Sequence, residues 1–242
     1  MPHGTPDWGL VGPKSTVYGL DDLGEHAVRL GSPHLFDRRG DVLWMTDFDE
    51  GLGDVWATWT GGGGSVHLVT GYTRKGAYAV KLTAGTAGTT FARIRKDLFL
   101  PVLSRMGLEV TFSYHEDMNE VRLEGIAYDG VNAHYFEVTY VFGTQLLLVY
   151  VPPGVWQPVA ANVRIGTGAF ASNTMKIVAD LTTDQYVRLL FNGVSVPVAG
   201  VPLHAPGDGR APYLHVDVTN VGSATTNPEI LVDCVIVTQN EP

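Results

Sequence analysis

From residue 42 onward the chain is a succession of short runs rich in Val, Thr, Leu, Phe and Tyr, separated by glycine, proline or asparagine roughly every 8 to 12 residues. That rhythm constrains the fold more than any single motif. Helices need apolar residues recurring at 3.6-residue spacing, and no such period is sustained after residue 42. With 29 glycines and 14 prolines, turns come too often for long elements. Alternation supplies the positive evidence: Val110, Phe112 and Tyr114 share one face of a strand, as do Val187, Leu189 and Phe191. Thirteen runs, the first Val42 to Asp49 and the last Ile230 to Thr238, predict two packed antiparallel sheets. Among them are Glu120 to Tyr128, Ala133 to Val141, Leu146 to Val151, Val159 to Ile165 and Met175 to Leu181. The expected fold is all-β, a two-sheet antiparallel β-sandwich (jelly roll).

Residues 1–41 read differently, as an extended Gly/Pro-rich N-terminal arm with one short helical turn between Leu20 and Leu30. Trp8, Leu10, Val17, Tyr18, Leu35 and Phe36 are too many for a free tail and too few for a separate core, so the arm is expected to dock or to oligomerise. The predicted organisation is an arm over 1–41 and one sandwich over 42–242, a length sufficient for a single large core.

Charge and composition exclude several classes. Sixteen Lys and Arg against 25 Asp and Glu give a net charge of −9, so no phosphate-tracking surface and no nucleic-acid partner are expected. No apolar run of 18 residues occurs, and Met1-Pro2-His3-Gly4 does not read as a signal peptide, which predicts no membrane insertion. The one cysteine, Cys234, has no intrachain partner for a disulfide and supports no Cys-based zinc site.

Met175 to Gly193 reads as strand, turn, strand and tight turn, with Asp184 in the first turn and Asn192-Gly193 in the second. This segment resembles the hairpin of concanavalin A-like (laminin-G-like) jelly rolls. Ile230 to Val237 is similar to the closing strand of that superfamily, and Thr46 to Leu52, followed by Trp56 and Trp59, to its opening stretch. The arm, with Pro6-Asp7-Trp8-Gly9 and Phe36-Asp37-Arg38-Arg39-Gly40-Asp41, resembles the beginnings of tailed-bacteriophage structural proteins that carry such a sandwich. The resemblance implies a lectin-like fold on a virion.

Glucanases of this fold carry Glu-x-Asp-x-x-Glu or Glu-x-Asp-x-Glu on one strand. Here Glu116-Asp117-Met118-Asn119-Glu120 places the aspartate on the opposite face from Glu116, and Glu116 and Glu120 would lie roughly 13 Å apart along a strand. The family motif is absent, and only a carboxyl pair assembled from different strands would restore it. Trp56, Trp59, Tyr72 and Trp156 are the candidates for stacking on sugar rings, with filling of the sandwich core as their alternative role. Asp47 and Asp49, read on one strand face, and Asp233 of the last strand are the candidate ligands of a structural Ca²⁺; capping of strand ends is their alternative. No other cofactor is required. Among eight histidines only His215-Val216-Asp217 sets an acid beside a histidine on one face.

The expected function is a non-enzymatic structural protein of a bacteriophage virion, in head decoration or tail. It would be docked through its arm to other virion subunits and to its own copies as a homo-oligomer, with a cell-surface glycan as a further partner. Two alternatives stay open: a secreted or surface carbohydrate-binding module, and a glycoside hydrolase of the concanavalin A-like fold.

Overall fold

Alternating apolar residues become strands because each strand buries one face and leaves the other for polar groups. In the computed structural model, which describes residues 40–52, 57–71, 73, 76–99, 102–114, 118–223 and 225–242, the described residues contain fifteen strands and no helix. In chain order they are β1 (Asp41–Thr46), β2 (Ala57–Gly61), β3 (Ser65–Val69), β4 (Ala79–Thr83), β5 (Phe91–Leu98), β6 (Arg105–Tyr114), β7 (Glu120–Tyr128) and β8 (Ala133–Val141). They continue with β9 (Leu146–Val151), β10 (Val155–Ala160), β11 (Gly168–Asp180), β12 (Gln185–Phe191), β13 (Val194–Val196), β14 (Tyr213–Val221) and β15 (Glu229–Gln239).

All strand pairs are antiparallel, and they form two sheets. One has eight strands in the order β13-β12-β11-β6-β15-β4-β3, with β1 also paired to β15. The other has seven, in the order β10-β9-β8-β7-β14-β5-β2. Between the sheets lies an apolar core to which Leu108, Phe112, Leu123, Phe136, Ile177 and Val216 contribute fully buried side chains. The expected all-β sandwich is therefore the observed fold. The expectations for the arm fall outside the described residues, apart from Gly40 and Asp41.

Two tight positions illustrate how sequence sets the packing. At Gly125 an added Cβ would meet the Phe136 ring at 2.5 Å and Leu108 at 2.6 Å, so only glycine lets that ring lie under β7. Asn192 and Gly193 join β12 to β13 with φ of 49° and 78°, the positive values a two-residue hairpin turn requires. The Asn192 side chain adds to the turn, accepting the Thr174 N–H at 2.8 Å and donating to Asn173 Oδ1 at 2.9 Å.

The strands β7, β8 and β9 match their predicted limits, whereas β10 and β11 do not. The proline at 158 reads as a breaker, yet β10 runs through it: β10 is an edge strand, and its register against β9 shifts between Pro158 and Ala160. β11 starts at Gly168, earlier than the expected Met175. Its register against β6 slips between Gly168 and Asn173, and the Asn173 side chain bonds the Gly166 backbone twice, at 3.0 Å each. β2 and β13 were not anticipated; both are short, and both lie at sheet edges.

Candidate functional site

The register of the seven-stranded sheet decides which side chains share its outer face. In β7, Val121, Leu123 and Ala127 enter the core, so Arg122, Glu124, Ile126 and Tyr128 point away from it. Glu124 stands directly opposite Glu137 of β8 on one side and Asp217 of β14 on the other. Asp217 in turn stands opposite Arg95 of β5. Four adjacent strands thus line up Arg95, Asp217, Glu124 and Glu137 in one row across the face.

The row is tightly knit on one side. Arg95 makes a two-point contact with Asp217 at 2.7 and 2.6 Å. Arg93 lies 3.1 Å from Asp217 and 3.2 Å from Glu124. Thr219 donates its hydroxyl to Glu124 at 2.5 Å. These side chains cover Asp217, which is 1% exposed although it faces away from the core. Glu137 is different: among the described residues its carboxyl has no hydrogen-bond or ion-pair partner. Burial pushes the Glu137 carboxyl well above the usual carboxylate range, and Glu124 adds to the rise. Burial also raises Glu124, against the pull of Arg93 and Thr219.

The backbone of Glu137 is held from beneath. The β8–β9 ladder ends at Val138 and Val149, and the Tyr186 hydroxyl enters where it stops. It accepts the Glu137 N–H at 3.1 Å and donates to the Tyr150 carbonyl at 2.8 Å. Tyr186 comes from β12 in the opposite sheet, so the core itself fixes this point of the face.

Aromatic rings bound the row at both ends. Trp59 of β2 is 52% exposed, with the Arg95 guanidinium 4.9 Å over its ring. At the opposite edge Trp156 of β10 is half-buried, 5.2 Å from the Tyr150 ring and under the Arg122 guanidinium at 5.4 Å. Tyr135, Tyr150 and His204 cluster beside it, their rings 5.4 to 5.8 Å apart. Seven strands at roughly 4.8 Å spacing separate the two tryptophans by about 29 Å. Beyond Arg95, His215 Nδ1 lies 2.7 Å from Asp97, while Nε2 is 3.9 Å from Asp217; burial lowers the pKa of this ring.

Of the residues singled out in the sequence, the structure brings Trp59 and Trp156 to one face and keeps both out of the core. Trp56 and Tyr72 lie outside the described residues, as do Glu116 and Asp117. The calcium candidates are not arranged as expected. β1 ends at Thr46, so Asp47 and Asp49 belong to the following turn and not to one strand face. Asp49 Oδ1 accepts the Ala77 N–H at 2.6 Å, and Asp233 is buried in a register shift of β15 between Val232 and Cys234. Among the described residues no group of three or more His, Cys, Asp or Glu is placed to share a metal ion. The row of Arg95, Asp217, Glu124 and Glu137 was missed. Its signal in the sequence was a charged residue at the outward position of several apolar alternations, as in Ala92-Arg93-Ile94-Arg95 and Leu123-Glu124-Gly125.

No protein-family model matches the chain, and no curated protein matches it in sequence. Solved structures do. A carbohydrate esterase of the Shiga toxin-encoding bacteriophage phi24B superposes with a TM-score of 0.55 at 16% identity, over 84% of this chain and 100% of that one. The carbohydrate recognition domain of Emp47p gives 0.54 at 11% identity, over 86% and 99%. The fold is that of the concanavalin A-like jelly rolls. An endo-β-1,4-glucuronan lyase of Trichoderma reesei gives 0.51 at 13% identity, over 82% and 96%.

These neighbours correct the expectation of a non-enzymatic protein. The same fold carries an esterase and a lyase as well as a carbohydrate recognition domain, so a missing glucanase motif does not argue against catalysis. The physical reason is register. Carboxyls that the sequence does not place on one strand are brought together here from three neighbouring strands.

Proposed function

We propose that the protein engages an extended polysaccharide along the outer face of its seven-stranded sheet, and does so as a component of a bacteriophage particle. The observation that carries the glycan reading is the pairing of Trp59 and Trp156 at opposite edges of one face, with a charged row between them. Indole faces stack on the apolar faces of sugar rings, while Arg, Glu and Tyr groups between them bind hydroxyls. A span of about 29 Å suits several consecutive sugars rather than one. The particle reading draws on the arm's resemblance to phage structural proteins and on a phage protein among the fold neighbours. Repeated copies on a particle would multiply weak glycan contacts into firm attachment.

Affinity gel electrophoresis tests the first part with barley β-glucan, xylan, hyaluronan, polyglucuronate and a purified bacterial capsular polysaccharide. At least one should retard the protein, and Trp59→Ala and Trp156→Ala should each weaken retention tenfold or more. Equal mobility in all five gels overturns the reading. Mass spectrometry of purified particles tests the second part, with absence of the chain from particles as the contrary result.

A further inference from the structure

We infer that the Lys176 amine and the Glu241 carboxyl condense into an amide, a covalent link on the outer face of the eight-stranded sheet, with Glu109 carrying the protons. The inference is independent of the glycan reading, which concerns the other sheet. Its starting point is a buried lysine. Met175, Ile177 and Ala179 of β11 enter the core, so Lys176 points away from it, yet Lys176 is only 2% exposed. Its ammonium nitrogen lies 2.7 Å from Glu241 Oε1, and the Glu241 side chain is fully buried.

Three features separate this pair from an ordinary ion pair. The first is dryness. Lys81 and Glu229 approach to 3.1 Å on the same sheet, but with 31% of each side chain exposed both ions stay hydrated. A site without water offers ions no such hydration and favours proton passage that leaves amine and carboxyl uncharged. The second is another carboxyl. Glu109 of β6 stands directly opposite Lys176 in the ladder, on the same face and 3% exposed. Directly opposed residues have Cβ atoms about 4.5–5.5 Å apart, a separation that the two side chains span to exchange protons.

The third feature is the setting of the Glu241 carboxyl. Thr238 donates its hydroxyl to Oε1 at 2.6 Å, and Arg188 donates from Nη2 to Oε2 at 2.5 Å. These donors polarise the carboxyl and stabilise the charge that gathers on its oxygens under attack. At Gly107 an added Cβ would meet Glu241 Oε1 at 2.7 Å, so a side chain there would push the carboxyl off its place beside Lys176. A nitrogen in hydrogen-bond contact with Oε1 lies about 3–3.5 Å from Cδ, the range from which a held pair reacts.

In the first step Lys176 gives a proton to the Glu109 carboxylate, and the freed lone pair on Nζ forms a bond to Glu241 Cδ. The electron pair of the C=O bond moves onto oxygen. Glu109 then hands its proton to one Glu241 oxygen, takes a second proton from Nζ and delivers that to the same oxygen. The C–O bond breaks, the other oxygen re-forms the double bond, and the doubly protonated oxygen leaves as water. One amide forms, one water is released, Glu109 returns to carboxylate, and nothing is oxidised or reduced. The link bridges β6 from β11 to the turn after β15, tying together three neighbouring strands of the sheet. Unfolding then leaves residues 176–241 as a closed loop, with less entropy to gain.

Mass spectrometry of the denatured full chain tests the link. The mass should lie about 18 Da below that of the sequence, one water for one amide bond. Tryptic digestion should leave the bond after Lys176 uncut and yield a peptide pair joined through Lys176 and Glu241. Lys176→Arg keeps the positive charge but has no attacking amine, and should show its full sequence mass. Glu241→Gln should lose about 17 Da, because a side-chain amide expels ammonia in place of water. Glu109→Gln should keep its full mass with both reacting groups present, and Glu109→Asp should recover part of the loss; circular dichroism confirms that the variants are folded. If Glu109→Gln does not fold, slower mass loss in Glu109→Asp than in the parent carries the same expectation. A parent chain that holds its full sequence mass through prolonged incubation at neutral pH overturns the inference. So does a loss of water that maps elsewhere, such as Asp129-Gly130 or Asp208-Gly209, or one that persists in Lys176→Arg. Complete linkage in Glu109→Gln overturns the proton relay and the reaction as written.

Discussion

The hydroxyl of Tyr186, a core residue of the eight-stranded sheet, accepts the backbone N–H of Glu137 in the other sheet at 3.1 Å. It also donates to the Tyr150 carbonyl at 2.8 Å, filling the place where the β8–β9 ladder parts. One buried hydroxyl thereby ties the interior of the sandwich to the strand that carries the Glu137 carboxyl on the outer face. Burial raises the pKa of that phenol, so it stays protonated and keeps its donor through the neutral range.

Tyr186→Phe keeps the ring in the core and removes only the hydroxyl. A buried N–H and a buried carbonyl then lose their partner, at a cost of about 1–3 kcal/mol. Urea unfolding should show a lower midpoint at an unchanged slope. A midpoint equal to that of the parent would mean that the ladder closes without the hydroxyl.

Asp217→Asn removes the anion that Arg93 and Arg95 share. Breaking a fully buried pair costs about 3–5 kcal/mol, and these arginines remain 22% and 17% exposed, so the loss should be about 2 kcal/mol. A double-mutant cycle with Arg95→Met checks the origin. If the two effects simply add, the pair is not the source of the stability.

Asp129 offers a test by pH. The N–H groups of Asn132 and Val131, at 2.6 and 2.7 Å, hold its carboxyl down to about 2, and His134 Nε2 at 3.2 Å adds to the effect. Because the folded value lies below the unfolded one, the stabilisation is complete above about pH 4 and is lost as pH falls through 2. Asp129→Asn should therefore narrow its stability deficit relative to the parent between pH 4 and 2, measured as urea midpoints. Parallel curves across that window would show that Asp129 makes no such contribution.

Asn192→Ala should destabilise the β12–β13 hairpin by about 2 kcal/mol. The left-handed conformation costs an L-residue about 1–2 kcal/mol, and the bonds to Thr174 and Asn173 are lost as well. Asn192→Gly separates the two causes, since it keeps the turn and loses only the side-chain bonds. Thermal melting should place the glycine variant between the parent and the alanine variant.

Much of the fold was legible locally. The limits of β7, β8 and β9 follow from strict alternation, and the Asn192-Gly193 turn from the positive φ that hairpins demand. Edge strands were less legible, because β10 tolerates Pro158 and β2 carries an exposed Trp59 where filling of the core was the favoured reading. The site was legible only in fragments. His215 and Asp217 were noticed as a pair on one strand face, but nothing in the chain indicated that Glu124 and Glu137 would stand beside Asp217.

By itself the sequence determined that this protein would be a two-sheet β-sandwich, since period-2 apolar runs broken every dozen residues have few other ways to bury themselves. It also determined which residues of each strand face outward, since that follows from the same alternation. Only the tertiary structure decided which outward residues meet. Strand order and register set Asp217, Glu124 and Glu137 side by side from positions far apart in the chain, and they placed Trp59 and Trp156 at the two ends of one face. Pairing between distant strands is fixed by the packing of the whole core, and no local stretch of sequence encodes it.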